Sequence, residues 1–122
     1  MPKLEFLDHV AIKVSDPEMS CKWYRETLGL VRFQPDAWKP VPIMVFAGNS
    51  GIALFQANDD VNSQFKESFH IAFRAAPGTL DDWAEKLKSL GIKFSIEDHV
   101  VFESIYFRDP DGYRLEITAP VE

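Results

Sequence analysis

The chain has 122 residues, of which 46% are hydrophobic and 26% are charged, a composition typical of a soluble globular protein. Its formal net charge is −6, and acidic and basic residues are interspersed, so nucleic acid is not an expected partner. The single cysteine, Cys21, has no partner for a disulfide within the chain, and no apolar run is long enough to cross a membrane. We therefore expect a cytoplasmic protein with no membrane partner.

The first predicted element is a strand over residues 7–14. Along it every second residue is apolar: Val10, Ile12 and Val14. The positions between them begin with His9. The alternation places His9 on the face opposite the apolar one.

A helix follows the first strand. Asp16 provides an N-cap, Pro17 fits the first helical position and Gly29 ends the helix. Cys21 lies in the helical pattern and is expected to be a small packed side chain. The apolar spacing predicts a buried stripe that consists of Met19, Trp23, Tyr24 and Leu28.

Three strands complete the first half of the chain and span residues 30–33, 43–47 and 52–56. A loop with three prolines separates the first two strands, and residues 48–51 form a hairpin turn between the last two. The polar stretch 58–68 has no clear period and is interpreted as a linker.

The same order then begins again. The next strand carries His70 opposite its apolar face, and Thr79 is the predicted N-cap of a second helix, with Asp82 as its capping partner. The buried stripe of this helix is predicted to consist of Leu80, Trp83, Leu87 and Leu90. A short strand over residues 92–96 follows.

The closing segment gives the strongest local signal. Two runs rich in aromatic and branched residues flank Asp109-Pro110-Asp111-Gly112, a pattern typical of a β-hairpin. We expect a three-residue loop, because its last residue is then a glycine where a bulge favours the left-handed conformation. Tyr106 then lies opposite Glu116 on one face of the sheet, whereas a four-residue loop would place Ile105 there.

The two halves form a repeat. A constant shift of 61 residues aligns His9 with His70 and Gly51 with Gly112. The order strand, helix and three strands occurs in residues 1–57 and again in residues 69–119.

The repeat predicts an α+β fold for a single domain, residues 1–122. Its two βαβββ modules form a curved, barrel-like mixed sheet with the helices outside. The faces away from the helices bear His9 in the first module and His70 and Glu116 in the second, and two facing sheets would bring these residues together.

These features resemble the vicinal oxygen chelate superfamily, the group that contains glyoxalases, bleomycin- and fosfomycin-resistance proteins and extradiol dioxygenases. The residues that carry the resemblance are Asp8-His9-Val10-Ala11-Ile12, Trp23-Tyr24-Arg25, Leu28-Gly29-Leu30, Phe69-His70-Ile71-Ala72-Phe73 and the segment 106–116. The resemblance implies metal ligands at His9, His70 and Glu116. Two imidazoles and one carboxylate, with other coordination positions open, suit Fe, Mn, Ni, Co or Zn.

The implied function is that of a metal-dependent enzyme acting on a small substrate with vicinal oxygens. Lyase or isomerase chemistry and dioxygenase chemistry are both open, with Glu116 at the metal and Tyr106 assisting proton transfer. A binding protein of the bleomycin-resistance type, without catalysis, is the alternative. In this superfamily two modules close within one chain or are exchanged between the chains of a dimer, and of these arrangements the sequence does not choose one. A homodimer is expected.

Departures from the superfamily's patterns narrow the function. Ala11 stands where the fosfomycin-resistance pattern has threonine. That pattern also has a lysine and serines before the final hairpin, where this chain has Ile96 and Val100 and only Ser104 fits, so thiol transfer to that antibiotic is not expected. The 61-residue shift places Phe55 at the position of Glu116, so the first module does not supply a further ligand of the glyoxalase I type.

Several other side chains are candidates for the pocket. Arg74 and Lys13 are candidate contacts for an anionic substrate, and His99 is expected at the surface or on the pocket rim. The apolar walls are predicted to consist of Trp38, Val45, Phe46 and Phe55.

Overall fold

The structure, a computed structural model, describes residues 1–58, 66 and 69–121. The chain divides into two compact units, Met1–Asp60 and Val61–Glu122. The boundary lies within the expected linker 58–68, of which residues 59–65, 67 and 68 fall outside the described residues. In the described part, each unit has the order strand, helix and three strands, which confirms the predicted α+β fold with two βαβββ modules.

The first unit contains a four-stranded mixed sheet and one described α-helix. Its elements are β1 (His9–Val14), α1 (Pro17–Leu28), β2 (Val31–Phe33), β3 (Ile43–Ala47) and β4 (Ser50–Gln56), with a 3₁₀ turn at Asp36–Trp38. The strand order is β1-β4-β3-β2, with β1 parallel to β4 and the other neighbours antiparallel.

Helix α1 begins and ends where predicted. The Asp16 carboxylate accepts a hydrogen bond from the Met19 N–H at 3.2 Å, and Gly29 ends the helix with φ 71°. Cys21 is buried, as expected, but Met19 is 69% exposed, so its predicted burial is wrong. The buried stripe runs instead through Pro17, Ser20, Cys21, Tyr24, Thr27 and Leu28, because the small side chains of Ser20 and Cys21 lie against the sheet.

The second unit repeats this arrangement. Its elements are β5 (His70–Arg74), α2 (Leu80–Ser89), β6 (Ser95–Asp98), β7 (Phe102–Arg108) and β8 (Arg114–Pro120). The strand order is β5-β8-β7-β6, with β5 parallel to β8 and the other neighbours antiparallel. Of the described helices, none is both long and apolar enough to cross a membrane.

Three local predictions fail around α2. The Thr79 hydroxyl makes no cap bond and instead donates to the Ala76 carbonyl at 2.6 Å. Leu90 lies just past the helix and is 49% exposed. Strand β6 begins at Ser95, three residues later than predicted, because Ile92 still belongs to the helix end, where its N–H donates to the Leu87 carbonyl at 3.0 Å.

Each helix covers one face of its own sheet. Helix α1 packs on β3 and β4, and Val14 and Leu54 are fully buried in that unit. Helix α2 packs on β7 and β8, and Leu87, Ile105 and Leu115 are fully buried in the other. Burial of each such side chain stabilises the fold by roughly 1.5–3 kcal/mol. The opposite face of each sheet carries the candidate functional residues.

The strand registers correct the alignment of the two halves. Ala53 lies beside Ala11 in the first sheet, whereas Glu116 lies beside Ala72 in the second. The position equivalent to Glu116 is therefore Ala53 and not Phe55, because the second unit has two more residues between its first and last strands. Like phenylalanine, alanine has no side-chain atom that can bind a metal.

Candidate functional site

The closing hairpin sets the register of the second sheet. Asp109 and Tyr113 pair around the three-residue loop 110–112, with 3.0 Å between the Asp109 N–H and the Tyr113 carbonyl, and Gly112 has φ 88°. Tyr106 lies directly opposite Glu116, as predicted from the three-residue loop.

One face of the second sheet brings His70, Glu116 and Tyr106 together. Glu116 neighbours Tyr106 on one side and Ala72 on the other, and cross-strand neighbours point to the same face. His70 lies two residues before Ala72 and shares this face. Its Nε2 atom lies 3.3 Å from Oε1 of Glu116. The Glu116 residue is 8% exposed, whereas the His70 side chain is 43% exposed.

The Glu116 carboxylate is fixed by a neighbouring hydroxyl. Ser104, fully buried on β7, donates to Oε2 of Glu116 at 2.7 Å and lies 2.9 Å from the hydroxyl of Thr118. One carboxylate oxygen is thus held by Ser104 while the other faces His70.

Tyr106 has a hydrogen-bonding partner that the sequence does not predict. Its hydroxyl lies 3.0 Å from Nε2 of His99, whose ring is in turn 3.7 Å from a Glu97 carboxylate oxygen. Burial, together with the charge of Glu116 and a hydrogen bond to it, raises the pKa of Tyr106. Tyr106 therefore keeps its proton near neutral pH and is a hydrogen-bond donor rather than a base.

Two arginines lie over aromatic rings of the second sheet. The Arg114 guanidinium lies 4.4 Å from the centroid of the Tyr106 ring, and that of Arg74 lies 4.9 Å from the Phe102 ring. Arg114 is a positive group beside Glu116 and Tyr106 that the sequence-based prediction omits. Strand alternation contains the signal for it, because Arg114 precedes Glu116 by two residues.

In the first unit, His9 is oriented by its neighbour in sequence. Its Nδ1 atom lies 2.8 Å from a carboxylate oxygen of Asp8, and the His9 side chain is 45% exposed. A carboxylate that accepts from Nδ1–H leaves the lone pair of Nε2 available, the arrangement that commonly accompanies a metal-binding histidine.

The face of the first sheet that carries His9 is otherwise mostly apolar. It borders a pocket of about 350 Å³ that is lined by Asp8, His9, Phe33, Trp38, Pro42, Met44, Phe46, Ala53 and Phe55. Trp38, Phe46 and Phe55 are therefore walls, as predicted. Val45 is not, because it pairs with Ile52 on the other face of the sheet and is fully buried.

The spacing of His70 Nε2 and Glu116 Oε1 suits two ligands of one divalent metal ion. Two ligand atoms that are each about 2.1 Å from one ion and lie at right angles or wider around it are roughly 3 Å or more apart. The 3.3 Å between His70 Nε2 and Glu116 Oε1 matches this spacing. Among the described residues, no group of three or more His, Cys, Asp or Glu side chains is placed to hold an ion.

Comparison with known proteins defines the class. Residues 6–117 match the Glyoxalase/Bleomycin resistance protein/Dioxygenase superfamily, and the chain belongs to this superfamily, which confirms the resemblance. It is 28% identical over 119 residues to Glutathione transferase FosA of Serratia marcescens, with 93% of this chain and 80% of the relative covered.

A second relative and a solved structure agree with this superfamily assignment. The chain is 30% identical over 121 residues to Metallothiol transferase FosB of Staphylococcus haemolyticus, with 91% of this chain and 81% of the relative covered. The crystal structure of a glyoxalase family protein from Bacillus anthracis is similar with a TM-score of 0.81 and 22% identity, over 98% of both chains. The structural likeness supports the same fold.

Proposed function

We propose that this protein is a metal-dependent enzyme that acts on a small substrate with two neighbouring oxygens. His9, His70 and Glu116 bind one divalent ion, which is Fe, Mn, Ni, Co or Zn. The observation that carries the proposal is the 3.3 Å contact between His70 and a Glu116 carboxylate that Ser104 holds in place.

Each neighbouring residue has a separate role. The bound ion supplies Lewis-acid chemistry to the substrate oxygens. Ser104 orients the Glu116 carboxylate, and Asp8 keeps Nε2 of His9 available. Tyr106, which retains its proton, donates a hydrogen bond to a substrate oxygen on which negative charge develops.

Two relatives support thiol transfer as the reaction class. FosA and FosB are transferases, which supports transfer of a thiol to the bound substrate, although Ala11, Ile96 and Val100 depart from the fosfomycin-resistance pattern. Lyase or isomerase chemistry and dioxygenase chemistry are the other reactions that the same ligands support. The three differ in what they consume: a thiol, the substrate alone or dioxygen. Thiol assay and oxygen-electrode measurements on metal-loaded protein separate them.

The metal site is tested by removing one ligand. Metal analysis of protein purified without chelator should give about one divalent ion per His-His-Glu set in the wild type. His70→Ala should lower the metal affinity by about tenfold or more, since loss of even an orienting partner costs roughly 10–100-fold in affinity, and the variant should therefore retain clearly less metal through purification.

The matched control is His99→Ala, which removes another half-exposed histidine of the same unit. This variant should retain wild-type metal content. Equal metal content in His70→Ala and the wild type would overturn the ligand assignment.

A second candidate function is small-molecule binding without catalysis, of the bleomycin-resistance type. The observation that favours it is the aromatic pocket beside His9, which could hold a ligand without an ion. Ligand affinity that is unchanged by chelator, together with no turnover of thiol, substrate or dioxygen, would support this candidate over the enzyme.

A further inference from the structure

The pocket of the first unit has a wall of interlocked aromatic rings. The Phe33 ring meets Trp38 edge to face, with centroids 5.6 Å apart and planes at 86°, and meets Phe46 at 6.0 Å and 78°. Such edge-to-face contacts hold rings in a fixed geometry. The wall is therefore ordered by contacts within the first unit itself.

A glycine lets this wall approach the sheet. A Cβ atom on Gly51 would lie 2.9 Å from the Val45 carbonyl oxygen and 3.0 Å from the Phe46 ring. Gly51 is also the cross-strand neighbour of His9. The Phe46 ring thus lies against bare backbone next to the histidine, a position that a larger residue would prevent.

Large parts of the wall remain in contact with solvent. Phe33 is 49% exposed, Trp38 is 38% exposed and Phe55 is 37% exposed. Contiguous exposed apolar surface of this kind marks a binding site in proteins. The concave shape distinguishes it from a flat protein contact, and its 350 Å³ lies near the lower end of the roughly 300–1,000 Å³ of small-molecule pockets.

The polar groups of the pocket lie together. Among the described residues that line it, Asp8 and His9 are the polar ones, and the rest are aromatic, aliphatic or Met side chains. A matching ligand therefore has a flat apolar body and an oxygen-bearing end directed to His9.

We propose that the pocket binds an aromatic ring of the substrate, so that the substrate class is an aryl compound whose two neighbouring oxygens are attached next to the ring. This inference rests on the proposed function for the role of His9. All described residues that line the ring-binding pocket belong to the first unit, so its affinity for a ring can be measured without metal.

The experiment compares two probes that share one chelating group. Benzoylformate and pyruvate are both 2-oxo acids, and only benzoylformate carries a ring. Calorimetric titration of chelator-treated protein should show benzoylformate binding at least about tenfold more tightly than pyruvate. The fluorescence emission of Trp38 should change when benzoylformate is added. It is obtained as the difference between the spectra of the wild type and Trp38→Phe.

Two alanine variants locate the binding site. Phe33→Ala should weaken benzoylformate binding by about tenfold and leave pyruvate binding unchanged. Val31→Ala is the matched control, because Val31 shares the strand and face of Phe33 and is 66% exposed but does not line the pocket. It should bind benzoylformate like the wild type.

The inference would be overturned by equal affinity for both acids or by no binding of either. Equal effects of Phe33→Ala and Val31→Ala would also overturn it. So would Trp38 emission that changes with protein concentration but not with benzoylformate, because a second copy of the chain would then cover the pocket. Failure of the metal assignment gives a different result: His70→Ala keeps its metal while the preference for benzoylformate persists.

Discussion

The protonation state of Tyr106 shows how single residues define the chemistry of this site. Burial is the main cause that raises the pKa of its phenol, and the charge of Glu116 adds to it. An ordinary tyrosine ionises near pH 10, so Tyr106 is neutral across the physiological range. A neutral phenol beside the proposed metal ligand Glu116 is suited to stabilise a developing oxyanion.

Neutralising Glu116 should lower the pKa of Tyr106. The Glu116→Gln variant removes a negative charge that disfavours the phenolate, while the burial of the ring remains. Ultraviolet difference titration of metal-free protein, with Tyr106→Phe subtracted, measures this pKa. Glu103→Gln is the control, because its carboxylate is not a cause of the shift, and it should leave the titration unchanged. Identical titrations of Glu116→Gln and wild type would contradict the prediction.

The residues of the second sheet differ in how far the sequence predicts them. Alternation and the three-residue loop suffice to place Tyr106 opposite Glu116. The contact of His99 with Tyr106 is not predictable in this way, because it depends on a loop in which Val100 has a φ of 72°. A loop of this kind has no periodicity from which a side-chain direction can be inferred.

At the scale of elements, the closing hairpin depends on one aspartate. Asp109 is 5% exposed, and its Oδ1 accepts from the N–H groups of Asp111 and Tyr113, both at 2.9 Å. This side chain fixes the turn that sets the register of Glu116.

Asp109→Ala should reduce the free energy of unfolding by roughly 1–3 kcal/mol, because a buried N–H loses its acceptor. Chemical denaturation measures the change. Asp109→Asn is the control, since its side-chain oxygen can still accept both hydrogen bonds, and it should lose clearly less. Equal losses in the two variants would mean that the charge, and not the acceptor, stabilises the turn.

The helix starts show why some element-level predictions fail. Asp16 and Thr79 are both favourable N-cap types, but only Asp16 caps. Its backbone is extended, with φ −143° and ψ 100°, whereas Thr79 has φ −103° and ψ −1° and its hydroxyl bonds backwards to Ala76. Residue type predicts the capacity to cap, and the backbone angles decide whether the side chain reaches the helix.

For the whole molecule, we propose a homodimer. Large apolar side chains are exposed before the first strand: Leu4 is 94% exposed and Leu7 is 69% exposed. Such surface favours association with another chain. Light scattering at micromolar concentration should give twice the mass of the chain. A monomer mass at all concentrations would contradict the proposal.

Mixing of two ligand variants shows which chains supply the metal ligands. If an ion is held by His9 of one chain and by His70 and Glu116 of another, a mixed dimer of His9→Ala and His70→Ala contains one intact ligand set. Metal content of the co-expressed pair then rises above that of either variant alone. If one chain supplies all three ligands, the content stays at the level of the single variants.

The two-residue difference between the sheet registers has an evolutionary consequence. A carboxylate occupies the central row of one sheet and alanine occupies the same row of the other, so the duplicated halves are no longer equivalent. Under the binding role proposed for the pocket of the first unit, natural variation at Phe33 or Phe55 would alter which molecules are accepted without changing His70, Glu116 or Ser104. Descendants of such a gene can therefore acquire new ligands by divergence in one half while the other half stays unchanged.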